Sequence, residues 1–144
     1  MNSGIKELCI YGINLIDEKL STAMRLGLGG NSTLETLELS YIKSDDNDIC
    51  LWREALSFLC TNAALKTLEM HFAHNVTGSH ATAIRMELTA ALRDNESLEA
   101  LCWASDDARF EDFLDFVAAI HPNTPMKRLR LDPLNAADVR SGPA

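Results

Sequence analysis

Basic side chains are scarce: 13 Lys and Arg stand against 21 Asp and Glu in 144 residues, a formal net charge of −8. A surface of that sign repels a phosphate backbone, which excludes a general nucleic-acid binder. No apolar run approaches the roughly 20 residues of a membrane span, so no membrane partner is expected. The start Met1-Asn2-Ser3-Gly4-Ile5-Lys6 lacks signal-peptide architecture. The four cysteines, Cys9, Cys50, Cys60 and Cys102, form neither a C-x-x-C pair nor a zinc spacing and read as free thiols of a reducing compartment. A cytoplasmic address follows as the expectation. Also missing are G-x-G-x-x-G, a P-loop and a G-x-S-x-G elbow. Gly27, Gly29 and Gly30 close a helical segment, the wrong end for cradling phosphate. No catalytic residue, cofactor or metal is expected, and the chain does not read as an enzyme.

What is present is an ordinary globular composition, 47% hydrophobic and 24% charged, of a length that fits a single domain over residues 1–144. Self-similarity is the dominant feature. The pattern Asn-x-x-Leu-x-x-Leu-x-Leu recurs with conservative swaps at Asn2/Ile5/Leu8/Ile10, Asn31/Leu34/Leu37/Leu39, Asn62/Leu65/Leu68/Met70, Asn95/Leu98/Leu101/Trp103 and Asn123/Met126/Leu129/Leu131. Repeats therefore start near 2, 31, 62, 95 and 123, and residues 135–144 read as a flexible tail.

Counting back from each later Asn, the third residue is Leu28, Leu59, Leu92 or Ile120, and the seventh is Met24, Ala55, Leu88 or Phe116. A step of four is helical, which predicts amphipathic helices over Asp17–Leu28, Ile49–Thr61, Ala81–Asp94 and Ala108–His121. Each is ended by an Asn or by Gly30 or Pro122, on the expectation that Asn takes up the left-handed conformation. Beyond each stop the apolar residues alternate, as in Leu37-Glu38-Leu39, the period of a strand with one buried face. Strands are expected at about 6–10, 36–40, 67–71, 99–103 and 128–131. Units this small bury their apolar edges only by stacking on one another.

These residues resemble a leucine-rich repeat protein of the ribonuclease-inhibitor-like subfamily. The resemblance implies an α/β solenoid, a horseshoe segment with parallel strands on its concave face and helices on its convex face. It covers about residues 2–136. It also implies a non-catalytic module that binds a protein or peptide through the strand face. The alternative is a structural or self-assembling segment of a larger regulator or receptor, homo-oligomeric through uncapped ends. The family's further Asn/Cys position holds Ile13, Ile42, Ala73, Asp106 and Leu134 here. Its Asn ladder is therefore expected to be missing, with irregular connections over Lys43–Asp48 and His74–His80.

Strand positions between the leucines should face away from the core. One column runs Lys6, Glu35, Lys66, Glu99, Lys127, alternating in sign as a cross-strand ladder would. The next runs Cys9, Glu38, Glu69, Cys102, Arg130, and sets two like charges side by side. Such a cost at an exposed position is better motivated by a partner with a basic patch than by folding. Tyr41, His71 and Phe72 lie beside that pair, either as interface anchors or, for Tyr41 and Phe72, as cover for loop backbone. Glu38, Glu69, Tyr41, His71 and Phe72 are thus the candidate partner-binding residues. Lys127, Arg128 and Arg130 polarise the last repeat. His71, His74 and His80 match no zinc spacing. Asp45, Asp46 and Asp48 lack the glycine and closing glutamate of a calcium loop, and Asp48, Asp106 and Asp107 read as helix caps.

Overall fold

A computed structural model describes residues 4–12, 17–43, 49–73, 78–105, 110–120, 122 and 124–133. Strands and helices alternate: β1 (Glu7–Tyr11), α1 (Glu18–Ala23), β2 (Thr36–Ile42), α2 (Ile49–Leu56), β3 (Thr67–Phe72), α3 (Gly78–Leu92), β4 (Ala100–Ser105), α4 (Phe110–Ala119) and β5 (Arg128–Pro133). The five strands form one open, all-parallel sheet in the order 1-2-3-4-5. Among the described residues no helix is long and apolar enough to cross a membrane.

The register follows the counted pattern. Leu8, Leu37, Leu68, Leu101 and Leu129 lie opposite one another across all five strands, as do Ile10, Leu39, Met70, Trp103 and Leu131. These rows face the helices and share one core with Trp52, Ala55, Leu56, Ile84, Leu88 and Phe116. Leu37, Leu68 and Leu101 are buried in the middle of the sheet, whereas Leu8 and Leu129 at its edges are only partly covered. The apolar face is therefore continuous from unit to unit, as the stacking of incomplete units requires.

The helices differ from expectation in detail. Asp17 caps α1 by accepting from the Leu20 N–H at 2.8 Å, and the helix then widens into a π-helical turn over Met24–Leu28. The second helix tightens into a 3₁₀ turn over Ser57–Cys60, and α3 begins at Gly78, earlier than the periodicity placed it. Gly29 sits where units touch: a Cβ there would lie 2.8 Å from Thr61 Oγ1 of the next unit, so a side chain would have to displace the threonine hydroxyl. Each helix is also tied to its neighbour by an ion pair, Arg25 to Glu54 at 3.3 Å, Arg53 to Glu87 at 2.9 Å, and Arg85 to Asp115.

One expectation about asparagine is corrected. Gly12 and Tyr41 hold the only positive φ angles among the described residues, so Asn31, Asn62 and Asn95 do not end helices by turning left-handed. Their side chains do the work. In each, Oδ1 accepts two following N–H groups: Thr33 and Leu34 at 2.8 and 2.6 Å, Ala64 and Leu65 at 2.8 and 2.7 Å, Ser97 and Leu98 at 3.1 and 2.9 Å. The amide then reaches back one unit. Asn62 Nδ2 donates to the carbonyls of Leu28 (2.7 Å) and Asn31 (3.0 Å), and Asn95 Nδ2 to those of Leu59 (2.9 Å) and Asn62 (3.4 Å). An asparagine ladder thus runs along the helix-to-strand turns, a different place from the strand-to-helix position that holds Ile42 and Ala73. Thr124 continues it, its hydroxyl donating to the Asn95 carbonyl at 2.5 Å. Asn2, Asn123, the acidic residues Asp45, Asp46, Asp48, Asp106 and Asp107, Ile13, Leu134 and the tail lie outside the described residues, as do most of the two connections expected to be irregular.

Two substitutions test this frame by chemical denaturation. Leu68→Ala removes a fully buried side chain from the central row and should cost about 2 to 5 kcal/mol. Asn62→Ala leaves buried N–H and C=O groups without partners and should cost about 2 to 4 kcal/mol, whereas Asn31→Ala, at a less buried turn, should cost about 1 kcal/mol.

Candidate functional site

Alternation places every second strand residue on the sheet face turned away from the helices. Three outward columns cross this face: Glu7, Thr36, Thr67, Ala100, Arg128; then Cys9, Glu38, Glu69, Cys102, Arg130; then Tyr11, Ser40, His71, Ala104, Asp132. Glu38 and Glu69 are direct register partners, as the sequence columns placed them. Each carboxylate is answered from its own strand two residues on, where the side chain points the same way. Ser40 Oγ donates to Glu38 at 2.5 Å, and His71 Nε2 lies 3.1 Å from Glu69 Oε1.

The aromatic candidates separate. Phe72 faces inward: the parity of Leu68 and Met70 carries it into the core, where it is 3% exposed with its ring 4.6 Å from Trp103. It is therefore not part of the outward surface. Tyr41 is the extra residue of a bulge, since Ser40 pairs with His71 and Ile42 with Phe72. The bulge holds Tyr41 at φ 57°, a left-handed conformation that costs a bulky side chain about 1 to 3 kcal/mol. It turns the ring outward to 44% exposure and stacks it on Tyr11, with centroids 5.6 Å apart and planes at 20°. Lys43 Nζ stands 5.5 Å from the Tyr41 ring centroid. Tyr11 is the most exposed of the large apolar side chains among the described residues, at 74%.

The flanking charges are internally matched. The Lys6–Glu35 and Lys66–Glu99 pairs are both 3.3 Å, and Lys127 is 3.8 Å from Glu99, which makes the alternating column the expected cross-strand ladder. A hollow of about 460 Å³ bordered by Lys6, Glu35, Lys66 and Glu99 is lined by these paired groups, leaving them little free charge for a ligand. Arg130 is held by Asp132 at 2.6 Å.

One residue escaped the sequence reading. Cys102 lies directly opposite Glu69 and is 7% exposed although it points to the outward face. Glu69, His71 and Cys102 present an oxygen, a nitrogen and a sulfur that all lie within 4.8 Å of one another. A hollow of about 150 Å³ opens beside them between Thr67, Glu69, Cys102 and Arg130. Burial pushes the Cys102 thiol up to about 11, against a smaller downward pull from Arg130. The other imagined histidine partners are not placed: His74 and the His80 side chain lie outside the described residues.

No protein-family model matches the sequence, and no curated protein matches it either.

The buried thiol has a measurable consequence. Because the thiolate is the nucleophile, only about one Cys102 in a thousand is reactive at pH 8. Alkylation in chelating buffer, read by mass spectrometry, should label the exposed Cys9 and Cys50 first. Labelling of Cys102 should then accelerate about tenfold per pH unit as pH rises toward 11.

Proposed function

We propose that the chain is a protein-interaction module of leucine-rich-repeat type that binds a protein or peptide through the outward strand face. Four repeated β-α units and a fifth strand in one parallel sheet support the repeat reading, as does the stacking of equivalent leucines from unit to unit. On this reading the outward face is the concave surface of a horseshoe segment and the helices line its convex side. The mechanism is complementarity of shape and charge, with no chemistry performed on the partner.

The observation that carries the proposal is Tyr41. A bulge that strains its own backbone in order to stack an exposed tyrosine on a second exposed tyrosine does not serve burial, and strained residues of this kind cluster at sites of function. Tyrosine pairs offer a large, rigid, amphipathic contact area, the composition of interface anchors. The Glu38 and Glu69 carboxylates beside them favour a partner that brings a basic patch. A second reading, edge-to-edge association of copies or of further units, draws on the half-covered Leu8, Ile10, Leu129 and Leu131 at the two sheet edges. Light scattering separates the two, since the docking module is monomeric at micromolar concentration and the edge-paired form is not.

A pull-down from native extract identifies the partner, and titrations then test the surface. Tyr41→Gly should change stability by less than about 1 kcal/mol, because relief of backbone strain offsets the lost ring stacking. The same substitution should weaken partner affinity at least about tenfold. Glu38→Gln should weaken it more at low salt than at high salt. Affinity unchanged in both variants would remove this face from consideration.

A further inference from the structure

The like-charged contact between Glu38 and Glu69 has a neighbourhood that a basic protein partner alone does not account for. Glu69 and His71 stand two residues apart on β3 and share the outward face, and Cys102 faces Glu69 from β4 in direct register. The three donors therefore come from two adjacent hydrogen-bonded strands, the stiffest support the fold offers, and not from a loop. The Glu69 oxygen, the His71 ring nitrogen and the Cys102 sulfur are mutually within 4.8 Å, with the oxygen and nitrogen 3.1 Å apart.

We propose that Glu69, His71 and Cys102 form a three-donor site for a zinc-class divalent cation on the outward face of the sheet. Bond lengths of 2.0 to 2.3 Å about a tetrahedral ion set its ligands about 3.4 Å apart. The donor atoms, all within 4.8 Å of one another with the oxygen and nitrogen 3.1 Å apart, already lie close to that spacing. The donor set of one sulfur, one nitrogen and one oxygen selects a borderline-soft ion such as zinc or cobalt and disfavours calcium and magnesium, which take oxygen ligands. Binding forms a metal–sulfur bond and releases the thiol proton to solvent.

The surroundings fit a cation. Glu38 flanks Glu69 on the side away from Cys102, so two carboxylates and a thiolate more than offset the charge of a divalent ion. Ser40 fixes Glu38 at 2.5 Å, an outer contact of the kind that orients metal-site carboxylates. Arg130, which lines the same hollow, is turned onto Asp132 at 2.6 Å. The 150 Å³ hollow bordered by Glu69 and Cys102 leaves room for a fourth ligand from solvent. None of this depends on the docking proposal, and the metal test needs no partner.

Cobalt is the probe, added to the intact 144-residue chain after reduction and chelator treatment. One equivalent should produce a near-ultraviolet thiolate-to-cobalt charge-transfer band, and zinc should displace it. Cys102→Ser should abolish the band, whereas Cys60→Ser should leave it intact. Glu69→Gln and His71→Gln should each weaken cobalt binding at least about tenfold. His71 has a side chain 30% exposed, so its loss does not threaten the core. Zinc should raise the melting temperature of the wild type, and this shift should be clearly smaller in His71→Gln. A wild type without the band overturns the proposal. So does a band that survives Cys102→Ser, or an equal zinc-induced shift in His71→Gln.

Discussion

The side-chain amide of asparagine at each helix-to-strand turn is the interaction on which the stacked units depend. Apolar burial is indifferent to direction and would allow neighbouring units to slide or tilt while keeping the leucines covered. The amides of Asn62 and Asn95 remove that freedom. Each accepts from its own turn through Oδ1 and donates to the preceding unit through Nδ2, so the geometry of one unit is copied onto the next. Both are nearly fully buried, at 5% and 1% exposure, where an unpaired polar group is expensive and a paired one is directional. The backbone bonds from Lys66 N to Glu35 O and from Glu99 N to Lys66 O begin just beyond these turns. The asparagines therefore set the register that the sheet then extends.

That register creates the outward face. Once Leu37, Leu68 and Leu101 are aligned, Glu38, Glu69 and Cys102 have no choice but to line up one residue later. A sheet built of unrelated strands would need separate selection to bring such groups together. Here one substitution in one unit suffices, because the position opposite is already fixed. The helices repeat the same logic behind the sheet, where arginine–carboxylate pairs join each helix to the next.

Much of this was legible in the sequence. Counting from the asparagines located all five strands within about two residues, aligned their leucines, and placed Glu38 beside Glu69, because a repeat converts sequence distance into spatial position. The details that escaped depend on single departures from the repeat. Phe72 reads as an interface anchor or loop cover beside His71, although the parity of Leu68 and Met70 directs it inward. The bulge at Tyr41 is one extra residue between two periodic segments, and periodicity alone does not show where a strand absorbs it. Cys102 was placed in the correct column but read alone, since its significance lies in what faces it from 31 and 33 residues earlier in the chain. The asparagines mark the unit boundaries in the sequence, but their role belongs to the amide group and not to a left-handed backbone, which spacing alone does not distinguish.

Because the contacts that specify the stack run from one unit to the next, the chain has a natural quantum of length. Excision of residues 31–61 would remove one complete turn, strand and helix and would present Asn62 with a predecessor of the same kind. Loss of a single residue between Asn62 and Leu68 would instead turn Glu69 toward the core and Leu68 toward solvent, since a strand reverses its faces with every step. Insertions and deletions in the descent of such a chain are thus confined to whole units or to the connections beyond the strands. The outward columns can be lengthened, shortened or rewritten while the turn chemistry stays as it is.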